Sequence, residues 1–420
     1  MSKLKFENND KLKEVQAAKL LTQLQFIATH SPYYQKLFSA NHIDVATIKT
    51  IEDLKKLPLT SKDDFANNTP DFYCVSKKEI IEYCTTSGTT GHPLTVGLTK
   101  NDIARLALNE QYTFEQAGVT ANDVVQLMLT LDKQFMAGLA YLQGLHNIGC
   151  AVVRSGPGSP AFQLAAINRH DVTVLVAVPS FLLRIIEYAN TENIQLNSLS
   201  IKKIICIGEP IRHLDLSSNE LAKKITAAWN VQLYGTYAST EMQTAFSECS
   251  EHNGGHLSSD LLIAEILDDN GNEVDNGAVG ELVITHLGVE AMPLVRYQTG
   301  DMVAKLANPC RCGSRSLRLG PVVGRKNQLF KVNGTSIYPT SIFSLLKKFD
   351  VRDALLLVAE NEMQHQLKLL IDCDETEIKS ISASLFEQLK VKFEIAKADR
   401  KEINSYRNPD GRKPETVVFI

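Results

Sequence analysis

At 420 residues the chain is longer than one hydrophobic core usually serves, so two or more domains are expected. Its 44 % hydrophobic and 22 % charged content describes an ordinary globular protein and excludes wholesale disorder. A net charge of -4 gives no broad electrostatic footprint for nucleic acid or an anionic membrane, which leaves small-molecule chemistry as the class to look for. Met1 to Lys13 is polar and no apolar run approaches the length of a bilayer, so a cytoplasmic location with no membrane partner is expected. Eight scattered cysteines in such a compartment suggest free thiols or metal ligands rather than disulfides.

Leu20, Leu24 and Ile27 share one helical face, and Ser31-Pro32 stops that helix. Leu57 to Asp63 reads as a turn leading into a capped helix. Beyond residue 100 the pattern alternates. Helices are predicted over 102–117, 138–148, 162–168 and 181–189, with strands over 124–130, 151–154, 172–178 and 203–207. Strand and helix in turn, joined by short connections, argue for parallel sheets covered by helices. After the strand at 231–233 the loops lengthen, and 263–267 with 280–286 read as strands joined through the turn-prone Asp268-Asp269-Asn270-Gly271. Past Gly324-Arg325, strands at 355–359 and 366–372 pair around 360–363, and a helix covers 375–390. These make a small α+β unit of the size of a separate domain.

Chemistry concentrates in a few stretches. Thr85 to Gly91 holds five hydroxyl residues and two glycines in seven positions. Backbone N–H groups freed by glycine, joined by hydroxyls, suit a polyphosphate, while the bland alternative is a polar hairpin turn. It is not the common phosphate loop, because Gly88 and Gly91 enclose two residues and His92 follows where Lys-Ser or Lys-Thr would be needed. Tyr237-Ala238-Ser239-Thr240-Glu241 follows a strand expected to end near Tyr234, at the carboxyl edge where open α/β sheets bind ligands. Arg296 to Asp301, Gly324 to Lys331 and Asn408 to Lys413 complete the set.

In this order the stretches resemble the adenylate-forming superfamily of acyl-CoA ligases, most closely the phenylacetate-CoA ligase branch. Ser31 to Tyr34, Leu57 to Asp63, Gly208-Glu209-Pro210, Glu248-Cys249 to His256 and Cys310-Arg311-Cys312-Gly313 extend the likeness over nearly the whole chain. The resemblance implies an α/β fold: a large adenylating N-terminal domain, 1–325, of helix-covered sheets with a β-rich subdomain at roughly 242–323, then a small mobile α+β lid, 326–420. It implies ATP, Mg2+ and coenzyme A as cofactors, and a carboxylic acid activated to an acyl-adenylate and captured by a thiol. A homodimer is also implied.

Residue roles follow from the same resemblance. Ser87, Gly88, Thr89, Thr90 and Gly91 would wrap the β- and γ-phosphates. Glu241 would hold magnesium, Thr240 would donate to the α-phosphate, and Tyr237, Ala238, Ser239 and the Gly208-Glu209-Pro210 turn would border the nucleotide. Ala238 stands where the family usually has glycine, a mild change if the backbone there has negative φ. Asp301 would grip the ribose hydroxyls with Arg325 beside it, and Lys331 is matched. Lys326-Asn327-Gln328 replaces residues that are commonly acidic at the hinge. Lys413 would neutralise charge on the α-phosphate, with Arg412 as its competitor, since the family pattern puts lysine directly after glycine. Phe135, Gly138, Leu139 and Tyr141 fall where the family lines its acyl pocket, which favours an aryl or aryl-alkanoic acid; side chains of this kind are more often plain core.

A separate constellation comes from the residues alone. Cys249 and His252 lie three apart and Cys310 and Cys312 two apart, the four soft ligands of a closed, structural zinc site. His256 is an alternative to His252, and reduced thiols are the simpler reading of the cysteines. Three functions follow: an aryl-acid CoA ligase, an adenylating enzyme that loads the pantetheine thiol of an acyl carrier protein, and a nucleotide-binding homologue that has lost turnover.

Overall fold

The structure, a computed structural model, describes residues 9–86, 94–332, 335–361, 364–392, 394–407 and 415–420. These fall into two compact units: 9–86, 94–299 and 303–321 in the larger, 300–302 and 322–420 in the smaller. Among the described residues no helix is long and apolar enough to cross a membrane.

The larger unit opens with α1 (Asn9–His30) and α2 (Pro32–Ala40). Leu20, Leu24 and Ile27 are buried along one face of α1, as their spacing predicts. Ser31-Pro32 ends that helix and also begins the next: the Ser31 hydroxyl accepts from Tyr34 N at 3.4 Å and Pro32 supplies a preset first turn. Ser61 caps α3 (Lys62–Asn67) through a capping box with Asp64.

The strands of the larger unit are β1 (Glu82–Thr85), β2 (Thr95–Leu98), β3 (Val124–Leu127), β4 (Ala151–Arg154), β5 (Val174–Ala177), β6 (Lys203–Ile207), β7 (Gln232–Ser239), β8 (Thr244–Ser247), β9 (Gly255–His256), β10 (Leu262–Leu267), β11 (Val279–His286), β12 (Tyr297–Leu306) and β13 (Arg318–Arg325), the last two running on into the smaller unit. β1 and β2 form an antiparallel pair. The other eleven make one sheet, in the order β10-β11-β12-β13-β9-β8-β7-β6-β5-β3-β4. From β7 to β4 the pairing is parallel, as the alternating pattern predicts. The helices are α4 (Lys100–Gln116), α5 (Met136–Ile148), α6 (Pro160–His170), α7 (Pro179–Thr191) and α8 (Glu220–Ala228).

Period-two alternation divides the parallel part between two cores. Leu175, Ala177, Ile204 and Cys206 pack with Leu164 and Ile167 of α6, Leu182 and Ile185 of α7, and Leu221 and Ile225 of α8. Val174, Val176, Ile205 and Ile207 pack with Phe114 of α4 and with Tyr141 and Leu145 of α5. Both faces are therefore covered, which is why these strands read as unbroken apolar runs.

The smaller unit carries β14 (Phe330–Val332) and β15 (Thr335–Ile337), an antiparallel pair, then α9 (Pro339–Leu346), β16 (Asp353–Asn361), β17 (Gln364–Asp372), α10 (Glu375–Leu389), β18 (Glu394–Lys397), α11 (Arg400–Ser405) and β19 (Val417–Phe419). Its sheet runs β18-β17-β16-β19. Ala359 pairs with Gln366, the hairpin expected from sequence. Leu356, Val358, Leu369 and Ile371 face α9 and α10, while Leu355, Leu357 and Leu370 pack with Ile403 of α11.

Candidate active site

Parallel strands deliver their next residues to one edge of the sheet. β5 is followed by Pro179 and Ser180 at the start of α7, β6 by Gly208-Glu209-Pro210, and β7 by the segment ending in Glu241. Gly208 turns the chain with φ +75°, a conformation glycine adopts without strain. The Glu209 carboxylate accepts from Ser180 N at 2.8 Å, placing negative charge on the N-terminus of α7, where the helix dipole favours it. Pro210 O accepts from Asn219 Nδ2 at 2.8 Å, and Asn219 caps α8 by accepting from Ala222 N at 3.0 Å.

β7 is longer than its sequence suggests. Its parallel pairing with β6 ends at Thr236, and from there it continues to Ser239 as one arm of an antiparallel hairpin with β8. The expectation of a strand ending near Tyr234 is corrected: Thr236 to Ser239 find a second partner in Thr244 to Ser247 once the parallel neighbour ends. Tyr237 therefore lies within the strand, its ring 6.1 Å from that of Phe246. Ala238 pairs with Ala245 in extended backbone, so the place where glycine is usual makes no demand for positive φ.

Thr240 and Glu241 occupy the hairpin turn, where Ser239 Oγ accepts from Met242 N at 3.1 Å and Gln243 takes φ +48°. The Glu241 side chain is largely buried, with Lys62 Nζ at 4.0 Å from its carboxylate. Two buried residues with no foreseen role hold this turn. His286 bonds the Met242 carbonyl at 3.0 Å, and Arg105 donates to the carbonyls of Gln243 and Leu287, each at 2.9 Å, and to that of Leu261. Burial lowers the Arg105 guanidinium to about 10, partly offset by Asp102 and Asp260. The sequence carries a weak signal for both: a cation or imidazole inside an apolar pattern must find buried partners.

A second strut stands behind β7. Arg212 donates from Nε and Nη2 to the two oxygens of Glu248 at 2.9 and 3.0 Å, and Gly235 N donates to Glu248 at 3.0 Å. Burial raises the Glu248 carboxyl, but hydrogen bonds from His252 and Arg212 and the Arg212 charge outweigh it and leave it below its ordinary value.

Of the residues expected to line an acyl pocket, Phe135 and Leu139 are partly buried. Gly138 lies so close to the preceding loop that an added Cβ would meet Thr130 O at 2.5 Å. Tyr141 is buried among core side chains, its ring edge-on to Phe114 at 5.5 Å. In the smaller unit, Arg325 Nε donates to Asp301 at 3.2 Å, and Lys331 lies in β14 opposite Ser336. Ser87, Gly88, Thr89, Thr90, Gly91 and His92, and with them Arg412 and Lys413, lie outside the described residues.

Cys249, His256, Cys310 and Cys312 converge so that their donor atoms all lie within 4.8 Å of one another. His256, not His252, completes the group. His252 takes φ +50° in the turn after Cys249, and its Nδ1 lies 3.5 Å from Glu248. His256 comes four residues later in β9, paired with Ser247 on one side and Arg318 on the other.

Residues 11–291 match the family model described as AMP-binding enzyme. A phenylacetate-coenzyme A ligase of Thermus thermophilus is 26 % identical over 98 % of this chain and 91 % of its own length. One from Aromatoleum evansii is 29 % identical over 81 % and 76 %, respectively. A crystal structure of 2-hydroxyisobutyryl-CoA ligase in the postadenylation state superposes with a TM-score of 0.85 at 19 % identity, covering 99 % of this chain and 91 % of that one.

Proposed function

Since the chain belongs to the AMP-binding enzyme family, we propose that it is an AMP-forming acid–CoA ligase acting on an aryl or aryl-alkanoic acid of the phenylacetate kind. A substrate carboxylate oxygen attacks the α-phosphorus of ATP, the bond to pyrophosphate breaks, and the acyl group becomes a mixed anhydride with AMP. The thiol of coenzyme A then attacks the acyl carbon, and AMP leaves with the electron pair of the broken bond. The first step needs the two anions held together and their developing charge neutralised.

The observation that carries this reading is the turn after β7, which holds Thr240 and the largely buried Glu241 and whose next two carbonyls, of Met242 and Gln243, are bonded by His286 and Arg105. In this assignment Glu241 would hold the magnesium of Mg-ATP, which would supply charge neutralisation there. Thr240 donates to the α-phosphate, Tyr237 borders the adenine, and Ser87 to Gly91 receive the outer phosphates. Asp301, an acceptor with two oxygens, takes the ribose hydroxyls, with Arg325 orienting it. The likeness to phenylacetate ligases leads us to infer the aryl acid, and the family resemblance leads us to infer a homodimer.

Acid-dependent exchange of labelled pyrophosphate into ATP tests the first half-reaction, and thioester formation with coenzyme A the second. Phenylacetate-like acids should support both. Exchange without coenzyme A thioester would assign the acceptor to a carrier protein's pantetheine thiol, and no exchange across a broad panel of acids would leave a nucleotide-binding protein without turnover.

A further inference from the structure

We propose that Cys249, His256, Cys310 and Cys312 bind one structural zinc ion. Two thiolates each about 2.3 Å from zinc at the tetrahedral angle stand about 3.8 Å apart, and replacing one by an imidazole nitrogen shortens that to roughly 3.6 Å. The structure has Cys249 Sγ and Cys310 Sγ 3.7 Å apart, and Cys312 Sγ 3.7 Å from His256 Nε2. These two distances match edges of such a tetrahedron, all four donor atoms lie within 4.8 Å of one another, and the sulfur pair is far too wide for a disulfide bond of about 2.05 Å.

The backbone is built for the same purpose. Cys310 N donates to Ser314 O at 2.9 Å and Gly313 N to Cys310 O at 3.0 Å, a tight knuckle that turns two cysteines onto one point. Gly313 makes it possible with φ +89°. His256 is oriented from behind, its Nδ1 3.3 Å from Ser316 Oγ, which in turn lies 2.9 Å from Ser314 Oγ. Such an outer contact fixes the ring and leaves Nε2 for the metal. Three thiolates and an imidazole in tetrahedral array favour zinc over harder cations, and four protein ligands leave no open position for catalysis.

The ion joins the turn just after β8, β9, and the loop between β12 and β13, adding a cross-link to the pairing of His256 with Ser247 of β8 and Arg318 of β13. Cys249 follows Glu248, whose carboxylate holds Gly235 N and Arg212. The zinc therefore anchors the strut behind β7.

Metal analysis of the full chain purified without added metal should find about one zinc per chain. His256→Ala and Cys312→Ser should lose it, and His252→Ala should keep it. Because a lost ligand can unfold the loop, His256→Cys supplies the control: it restores a fourth soft ligand and should retain zinc. On cobalt exchange, wild type and His256→Cys should both show thiolate-to-cobalt charge-transfer absorption and tetrahedral visible bands. Zinc-free native protein whose unfolding temperature ignores a chelator would overturn the proposal. So would a Cys249–Cys310 disulfide, or zinc lost with His252→Ala and kept with His256→Ala.

Discussion

His286 and Met242 are joined by a buried hydrogen bond of 3.0 Å from imidazole Nε2 to carbonyl, and Leu294 N donates to the other ring nitrogen at 3.0 Å. With Nδ1 accepting and Nε2 donating, the ring is fixed as one neutral tautomer. Burial and the nearby Arg105 charge lower its pKa to about 3, more than the carbonyls of Met242 and Glu241 raise it.

A histidine that titrates near 6.5 when unfolded and near 3 when folded binds its proton more readily in the unfolded state. Its contribution to stability is complete above pH 6.5 and is lost as pH falls toward 3, by about 1.4 kcal/mol per pH unit. Urea unfolding followed by the fluorescence of Trp229, the chain's single tryptophan and buried in the larger unit, reads this directly. Between pH 6.5 and 5 the wild type should lose more stability than His286→Gln. The variant should also slow acid-dependent pyrophosphate exchange roughly ten- to hundredfold, because the Glu241 turn loses its backing.

Glu110 makes the opposite prediction. Its side chain is buried between α4 and α5, with Oε1 accepting from Asn109 Nδ2 at 3.0 Å and Oε2 without a hydrogen-bond partner among the described residues. Burial raises the carboxyl to about 8, with Asn109 opposing, so it is a neutral acid at pH 7. A raised folded-state value gives a contribution that is complete below pH 4.5 and lost as pH rises through 8. Glu110→Gln, neutral at every pH, should therefore gain stability over wild type between pH 5 and 8, by about 1.4 kcal/mol of unfolding free energy per pH unit in a urea series.

What could be read from sequence divides along physical lines. β3 to β6 and their helices were legible because strands buried on both faces give unbroken apolar runs, and the helices between them keep their own period. α8 is hard to read although Asn219 caps it and Leu221, Ala222 and Ile225 mark its face; a nine-residue helix leaves little period to see. The continuation of β7 to Ser239 depends on pairing with β8, which no local propensity reveals. Arg105 and His286 carry only a weak local signal for a related reason. Their partners, Gln243 and Met242, are 138 and 44 residues away. In the cysteine cluster residue types were legible and register was not: His252 and His256 are equally good ligands on paper, and only the β9 pairing separates them.

By resemblance, Lys413 would bring the positive charge to the α-phosphate during adenylation, with Arg412 one residue off. Lys413→Ala should abolish acid-dependent pyrophosphate exchange and leave thioester formation from a preformed adenylate nearly intact. Arg412→Ala should lower exchange only a few-fold. The reverse pattern would shift the assignment by one residue, and equal effects from both would remove the single-lysine role.

Arg407 bears on the same segment from within the smaller unit. Its guanidinium grips both oxygens of Asp353 at 2.7 Å each, and Nε donates to Glu415 O at 2.8 Å, so one side chain joins the residues on either side of 408–414 to the start of β16. The pair is largely buried, and a two-pronged arginine–carboxylate contact is directional in a way lysine cannot reproduce. Removing one partner of such a pair strands the other charge, at a cost of about 3 kcal/mol. Arg407→Ala should therefore lower the unfolding midpoint of the smaller unit and reduce pyrophosphate exchange, with a smaller effect on thioester formation from a preformed adenylate. Asp353→Asn should reproduce the stability loss, and the double variant should cost less than the sum of the two, since the interaction can be lost only once.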